Sequence, residues 1–181
     1  MFLHAQKFTE VEVNYVTADE MTNSNIINYE PGRELSWNDF KGKPVTGSDA
    51  AALTSAGFGV KLAFRRLGNN SRLVISVSCS FSKKDSWVQP TNKTAYILNH
   101  EQKHFDIAFI NTLIFMQRLK AATLTVTNYA SVIEKLYNES AQAMSRLQDE
   151  YDAETSHSRI PATQARWDEK IDSQLASVTK D

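Results

Sequence analysis

The sequence predicts an α+β domain in which an antiparallel β-hairpin, part of a small sheet, is followed by two long antiparallel helices. Between residues 57 and 82 apolar and polar residues alternate with the period of a half-buried strand, and a Gly/Asn-rich turn divides the run in two. From about Lys93 the apolar period lengthens to that of a helix and holds, with one interruption, to about Tyr151. With 181 residues, 41% of them hydrophobic and 23% charged, the chain is long enough for one ordinary core and too short to expect two.

Residues 1–25 read as an N-terminal extension and residues 26–181 as the domain proper. The first six residues lack the charged and long apolar regions of an export signal, yet Phe2-Leu3 before Ala5-Gln6 resembles the end of one. From Lys7 to Val16 a short alternating run (Phe8, Val11, Val13, Tyr15) predicts an edge strand, and the polar stretch from Thr17 to Asn25 a loop. Trp37 and Phe40, three apart before Gly42-Lys43-Pro44, read as core plugs. In the hairpin, Phe58, Val60, Leu62 and Phe64 form one apolar row. A turn over Leu67–Ser71 leads to a second row of Leu73, Ile75, Val77, Cys79 and Phe81, with Arg72, Ser76, Ser78, Ser80 and Ser82 on a wet face.

After Pro90, Thr91 or Asn92 is the expected N-cap of a helix over Lys93–Ala121, with Tyr96, Ile97, His100, His104, Ala108, Asn111 and Phe115 along one inward side. A loop over Thr123–Thr127 leads to a second helix whose buried stripe is Ile133, Leu136, Tyr137, Met144, Leu147 and Tyr151, with Met144 as filler. The short connection implies antiparallel packing. Beyond the breaker Ser158-Arg159-Ile160-Pro161, a last helix over Ala162–Ala176 carries Trp167, Ile171 and Leu175 on one side.

A net charge of -1 and a pI near 6.4 give no global attraction to nucleic acid or anionic lipid, and Arg65-Arg66 and Lys83-Lys84 read as solvated charges. The single cysteine, Cys79, excludes an intramolecular disulfide and reads as an inert packed thiol. Phe105–Leu119, the longest apolar stretch, contains Asp106, Asn111, Gln117 and Arg118 and falls short of the ~20 residues a membrane span needs. No pattern specifies an oligomeric state.

The chemistry is concentrated in His100-Glu101-Gln102-Lys103-His104, the H-E-x-x-H pattern. On a helix the two histidines project from one face about one turn, or roughly 6 Å, apart, so both imidazoles reach one zinc ion and Glu101 can act as a base. Fewer than about one in a hundred random orderings of this composition would contain such a pentamer. A catalytic zinc takes three protein ligands and keeps a position for water. His4 lies in the N-terminal tail, which leaves His157 in Tyr151-Asp152-Ala153-Glu154-Thr155-Ser156-His157 as the remaining histidine. Helix counting sets roughly residues 149–153 of the second helix level with His100. This favours the carboxylates of Asp152 or Glu154, with His157 about one turn beyond.

Leu35-Ser36-Trp37-Asn38-Asp39-Phe40-Lys41-Gly42, Ser86-Trp87-Val88, His100 to Ile107 and Tyr151 to His157 together resemble the bacterial domain-of-unknown-function 922 family, described as predicted secreted zinc-dependent proteases. The resemblance runs from about Tyr29 to Trp167. It implies a zincin-like fold, bound Zn2+, a secreted or periplasmic location and a peptide or protein substrate. It makes His157 the leading third ligand, with Glu154 and Asp152 as alternatives. Where the family shows H-E-Q-G-H-F-D, this chain has Lys103 in the glycine position, an ammonium expected near the metal mouth. Asp106, and Asp152 if it is not a ligand, are expected to accept a proton from a ligand imidazole.

The expected activity is a zinc-dependent peptidase in which a metal-activated water attacks the peptide bond and Glu101 is the general base. Tyr96 or Tyr151 would steady the oxyanion. The serine-rich strand over Arg72–Ser82 would border the cleft and pair with an extended substrate. The alternatives are a secreted binding module of the same fold with a structural metal and no turnover, or a helical interaction domain without metal.

Overall fold

The computed structural model describes residues 6–17, 23–68 and 70–179. In chain order the elements are β1 (Glu10–Tyr15), β2 (Ile26–Asn28), β3 (Ala52–Leu53), β4 (Ala56–Leu67), β5 (Asn70–Ser82), β6 (Trp87–Val88), α1 (Ala95–Ala121), α2 (Tyr129–Thr155) and α3 (Pro161–Val178), with short 3-10 turns at Trp37–Asp39 and Pro90–Asn92. The fold is α+β, a small mixed sheet with three helices.

β5 is the centre of the sheet. Its alternation places Leu73, Ile75, Val77, Cys79 and Phe81 at 0% exposure, so its register is fixed, because a one-residue slip would turn all five into water. Along one edge β4 pairs with it antiparallel, from Ala56 opposite Phe81 to Leu67 opposite Asn70. Gly68, at φ +59°, supplies the left-handed conformation of the turn. Along the other edge β1 runs parallel (Glu10 opposite Arg72 to Tyr15 opposite Val77) and β2 antiparallel (Ile26 opposite Ser82 to Asn28 opposite Ser80). β1 is hydrogen-bonded to β5 at the edge of this sheet, so the edge strand expected within Lys7–Val16 is present over residues 10–15. The expected signal remnant falls almost wholly on residues 1–5, outside the described residues.

The apolar row of β4 is less uniform than its sequence predicts. Phe58 is buried, whereas Leu62 and Phe64 are 39% and 40% exposed. β4 is an edge strand here, and around Phe64 the ring contacts are Phe8, at 5.6 Å, and Tyr129, at 5.9 Å. Phe40 meets the core as expected, with its ring 5.1 Å from Phe81, and Trp37 tilts against Phe40 at 4.9 Å. Burial pushes the Cys79 thiol up to about 12, which keeps it protonated and inert.

α1 lies across the buried face of the sheet. Phe105 and Phe109 pack on Tyr29, and Phe115, Met116 and Leu119 join Leu73, Ile75 and Val77. Its other sides are covered by α2 and α3, since Ile107 and Ile110 cluster with Tyr151, Trp167 and Ile171. Over residues 100–112 α1 is covered on nearly every side and has little solvent face for polar residues, so His100, Glu101, Lys103, His104, Asp106, Asn111 and Thr112 are all buried. The N-cap is Thr94, not Thr91 or Asn92: Pro90–Asn92 closes a 3-10 turn first, and Thr94 Oγ1 then accepts the Ile97 N–H at 3.1 Å.

Contacts between α1 and α2 run from Arg118 with Ser140 and Glu139 to His100 with Asp152, as antiparallel packing requires. α3 starts at Pro161, whose fixed φ suits the first helical position. Among the described residues no helix is long and apolar enough to cross a membrane. Phe81 lies between Phe40 and Phe105 at 0% exposure. Phe81→Ala should therefore cost about 3–5 kcal/mol in urea unfolding, while Ser78→Ala on the outer face should shift stability by less than about 0.5 kcal/mol.

Candidate metal centre

One helical turn of α1 and one residue of α2 bring three lone-pair atoms together. His100 Nε2 and His104 Nε2 are 3.2 Å apart, and Asp152 Oδ1 lies 3.0 Å from the first and 3.1 Å from the second. Ligand atoms about 2.0–2.1 Å from a tetrahedral ion stand roughly 3.4 Å apart, close to the edges of this triangle. Two imidazoles and a carboxylate form a donor set that suits zinc and other divalent ions of borderline softness.

The far side of each ring strengthens the fit. His100 Nδ1 faces Gln164 Oε1 at 2.8 Å, and His104 Nδ1 faces Gln148 Oε1. Both amides are oriented by other partners: Gln148 Nε2 donates to the His104 carbonyl at 2.9 Å, and Gln164 Nε2 to Asp168 Oδ1 at 2.6 Å. Each imidazole in its neutral form therefore carries its proton on Nδ1, which leaves two bare Nε2 atoms aimed at a carboxylate oxygen. Three acceptors at this separation repel unless protons or a cation sit among them. Without metal, protons fill that role. Burial would lower His104, but Asp152 and Glu101 outweigh it and raise its pKa. Burial would raise Asp152, but the two imidazoles hold it well below the usual carboxylate range.

Glu101 points to the same place. It is 4% exposed, Thr54 Oγ1 donates to its Oε2 at 2.7 Å, and burial pushes its carboxyl up against the pull of His104 and Thr54. These groups floor a cleft of about 360 Å³. One wall is the extended stretch 50–56; the other is Met144, Ser145, Gln148 and Asp152 of α2, with His157 and Ser158 beyond its end.

The structure brings together His100, Glu101, His104 and Asp152, and separates several other residues expected at the site. His157, which the resemblance makes third ligand, is outside the group of mutually close ligand atoms; its Nδ1 is 3.4 Å from Asp152 Oδ1. α2 ends at Thr155, and Ser156, His157 and Ser158 follow with φ of 50°, 51° and 66°, a left-handed run costing roughly 1–2 kcal/mol per residue. The third atom of the triangle comes from Asp152, one of the carboxylates that helix counting favours. Glu154, two residues further round α2, turns away and accepts the Trp167 Nε1–H at 2.8 Å.

Asp106 is not behind an imidazole. It lies on another side of α1, where it accepts from Tyr29 Oη, Gln102 Nε2 and Lys103 Nζ at 2.9, 2.9 and 3.3 Å. Lys103 likewise pairs with Asp106 and Asp172 and does not reach the metal mouth. Tyr151 is wholly buried, stacked on His100 at 4.5 Å and edge-on to His104 at 5.0 Å, with its hydroxyl taken up by Gln164 and the His100 carbonyl. It orients the ligands and does not face the cleft. Tyr96 is 40% exposed and outside the cleft lining. The serine-rich β5 contributes no residue to the cleft lining, and with β4 along one edge and β1 and β2 along the other it has no free edge for a substrate strand.

Sequence reasoning misses Thr54, Gln148 and Gln164. Gln148 has a signal, since it stands one helical turn before Asp152 on the same face. Thr54 and Gln164 have none, because only tertiary packing brings residues 47 and 64 positions away to Glu101 and His100. Compared with protein-family models, including that of the family resembled above, with curated proteins and with solved structures, the chain matches none.

The two shifts predict how metal-free stability depends on pH. The raised His104 stabilises fully below its unfolded value of about 6.5, and that contribution disappears as pH rises through the folded value. The depressed Asp152 stabilises above about 3.9 and fails as pH falls through its folded value. In EDTA, Tm should therefore fall as pH rises above about 6.5. Zinc replaces the protons and should raise Tm more above that pH. A zinc-induced shift independent of pH would contradict this protonation scheme.

Proposed function

We propose that this chain is a zinc-dependent peptidase with a zincin-like core, secreted or periplasmic, that cleaves peptide or protein substrates. The observation that carries this reading is the pairing of an open triangle of acceptor atoms with a buried carboxylate beside it, both facing one cleft.

His100, His104 and Asp152 would hold the zinc, which when bound polarises a carbonyl and acidifies water. The other chemistry falls to the chain's own residues. Thr54 occupies Oε2 of Glu101, which leaves Oε1 to take a proton from the attacking water and deliver it to the departing amine. Burial favours that uptake, because it raises the carboxyl toward the operating pH. Gln148, Gln164 and Tyr151 fix the rings, so both Nε2 atoms stay available. The small side chains of Ala50, Ala51, Ala52 and Ala56 on the extended wall allow a substrate backbone to approach closely. A purely structural metal would take a fourth protein ligand, and the group found among the described residues has three.

Glu101→Gln should keep one zinc per chain and lower hydrolysis of fluorescein-labelled casein by about 10²–10⁴-fold. Unchanged hydrolysis by that variant would remove Glu101 as the base and with it this mechanism.

A further inference from the structure

Among the described residues, Ser156, His157 and Ser158 are the only non-glycine residues with positive φ. They are consecutive, and two of them line the cleft. Such conformations persist where surrounding bonds impose them, and here those bonds are identifiable. The N–H groups of Ser156 and His157 donate to the Ala153 and Asp152 carbonyls at 3.3 and 2.9 Å, and the Ser158 N–H reaches Thr155 Oγ1 at 3.5 Å. Arg159 then donates to the Asp49 carbonyl at 2.6 Å, tying the turn to the beginning of the opposite wall. One left-handed residue suffices to end a helix; this turn uses three, and its result is to set one imidazole at the cleft mouth.

That imidazole is half exposed at the cleft, with Asp152 as its ion-pair partner. The His157 side chain is 52% exposed, and its Nδ1 lies 3.4 Å from Asp152 Oδ1, the oxygen shared by His100 and His104. No hydrogen bond among the described residues engages its ring. It stands too far out to complete the ligand triangle and close enough to reach a group bound beside Asp152. The two tyrosines expected to steady an oxyanion face elsewhere.

We infer that His157 is a catalytic residue that donates a ring N–H to the scissile carbonyl oxygen as that oxygen gains negative charge, and that the left-handed turn holds it in place. A neutral imidazole keeps one N–H, so the role needs no proton uptake. This inference rests on the peptidase reading.

The test uses cobalt-loaded full-length protein titrated with an N-acyl dipeptide phosphonate, a tetrahedral anion, and followed by visible absorption. His157→Gly removes the ring and suits the positive φ, while His157→Gln restores an N–H donor. Wild type and both variants should bind one cobalt per chain. Phosphonate affinity should fall about a hundredfold in His157→Gly and recover in part in His157→Gln. Equal affinity in wild type and His157→Gly would overturn the inference, as would a cobalt-loaded wild type that ignores the phosphonate. Loss of cobalt from His157→Gly would overturn it in favour of a ligand role. Failure of wild type to take up cobalt would instead remove the peptidase reading, and this inference with it.

Discussion

Over residues 100–112 α1 is buried on nearly every side, so the polar groups it carries there must find partners, and they do so in two different ways. On one side they do so internally: Asp106 gathers Tyr29, Gln102 and Lys103, and Lys103 extends the set to Asp172 of α3. A buried charge left alone would cost several kcal/mol, so this side is a closed ion-pair and hydrogen-bond network that also anchors α3. On the other side the account does not close. His100, His104 and Asp152 present three acceptors to one another, and protons or a cation must sit among them. The closed side ties α1 to α3 and the open side faces the cleft, although the two sets of residues interleave along the same two turns of helix.

The remaining elements serve that open side. The sheet holds α1 through Phe105 and Phe109, and α2 delivers Asp152 and Gln148 from one face. α3 supplies Gln164, which is itself held by Asp168, and Asp168 accepts a second bond from Asn99 at 2.9 Å. A chain of polar contacts therefore runs from the first turn of α1 through α3 and back to His100. Neutral amides, not carboxylates, stand behind both imidazoles. The negative charge near the metal position comes from Asp152 and Glu101, within the site itself.

Much of this arrangement is legible in the sequence where local periodicity dictates it. The five residues buried along β5, the inward histidines and the antiparallel helix pair all follow from spacing alone. Helix counting also ranks the carboxylates of α2 above His157, because Asp152 and Glu154 fall nearer the level of His100 and His157 about one turn beyond it. What spacing misses depends on packing between distant segments. Whether Lys103 faces the metal or α3 depends on where Asp172 falls, and no local pattern encodes that. The same holds for Thr54, and for the paired edges that make β5 a central strand.

Anomalous diffraction at the zinc edge from zinc-soaked crystals would identify the proposed metal ligands. One ion should lie about 2.0–2.2 Å from His100 Nε2, His104 Nε2 and Asp152 Oδ1, with His157 outside its coordination sphere. An ion held by His157 in place of Asp152, or no ion at this position, would contradict that assignment.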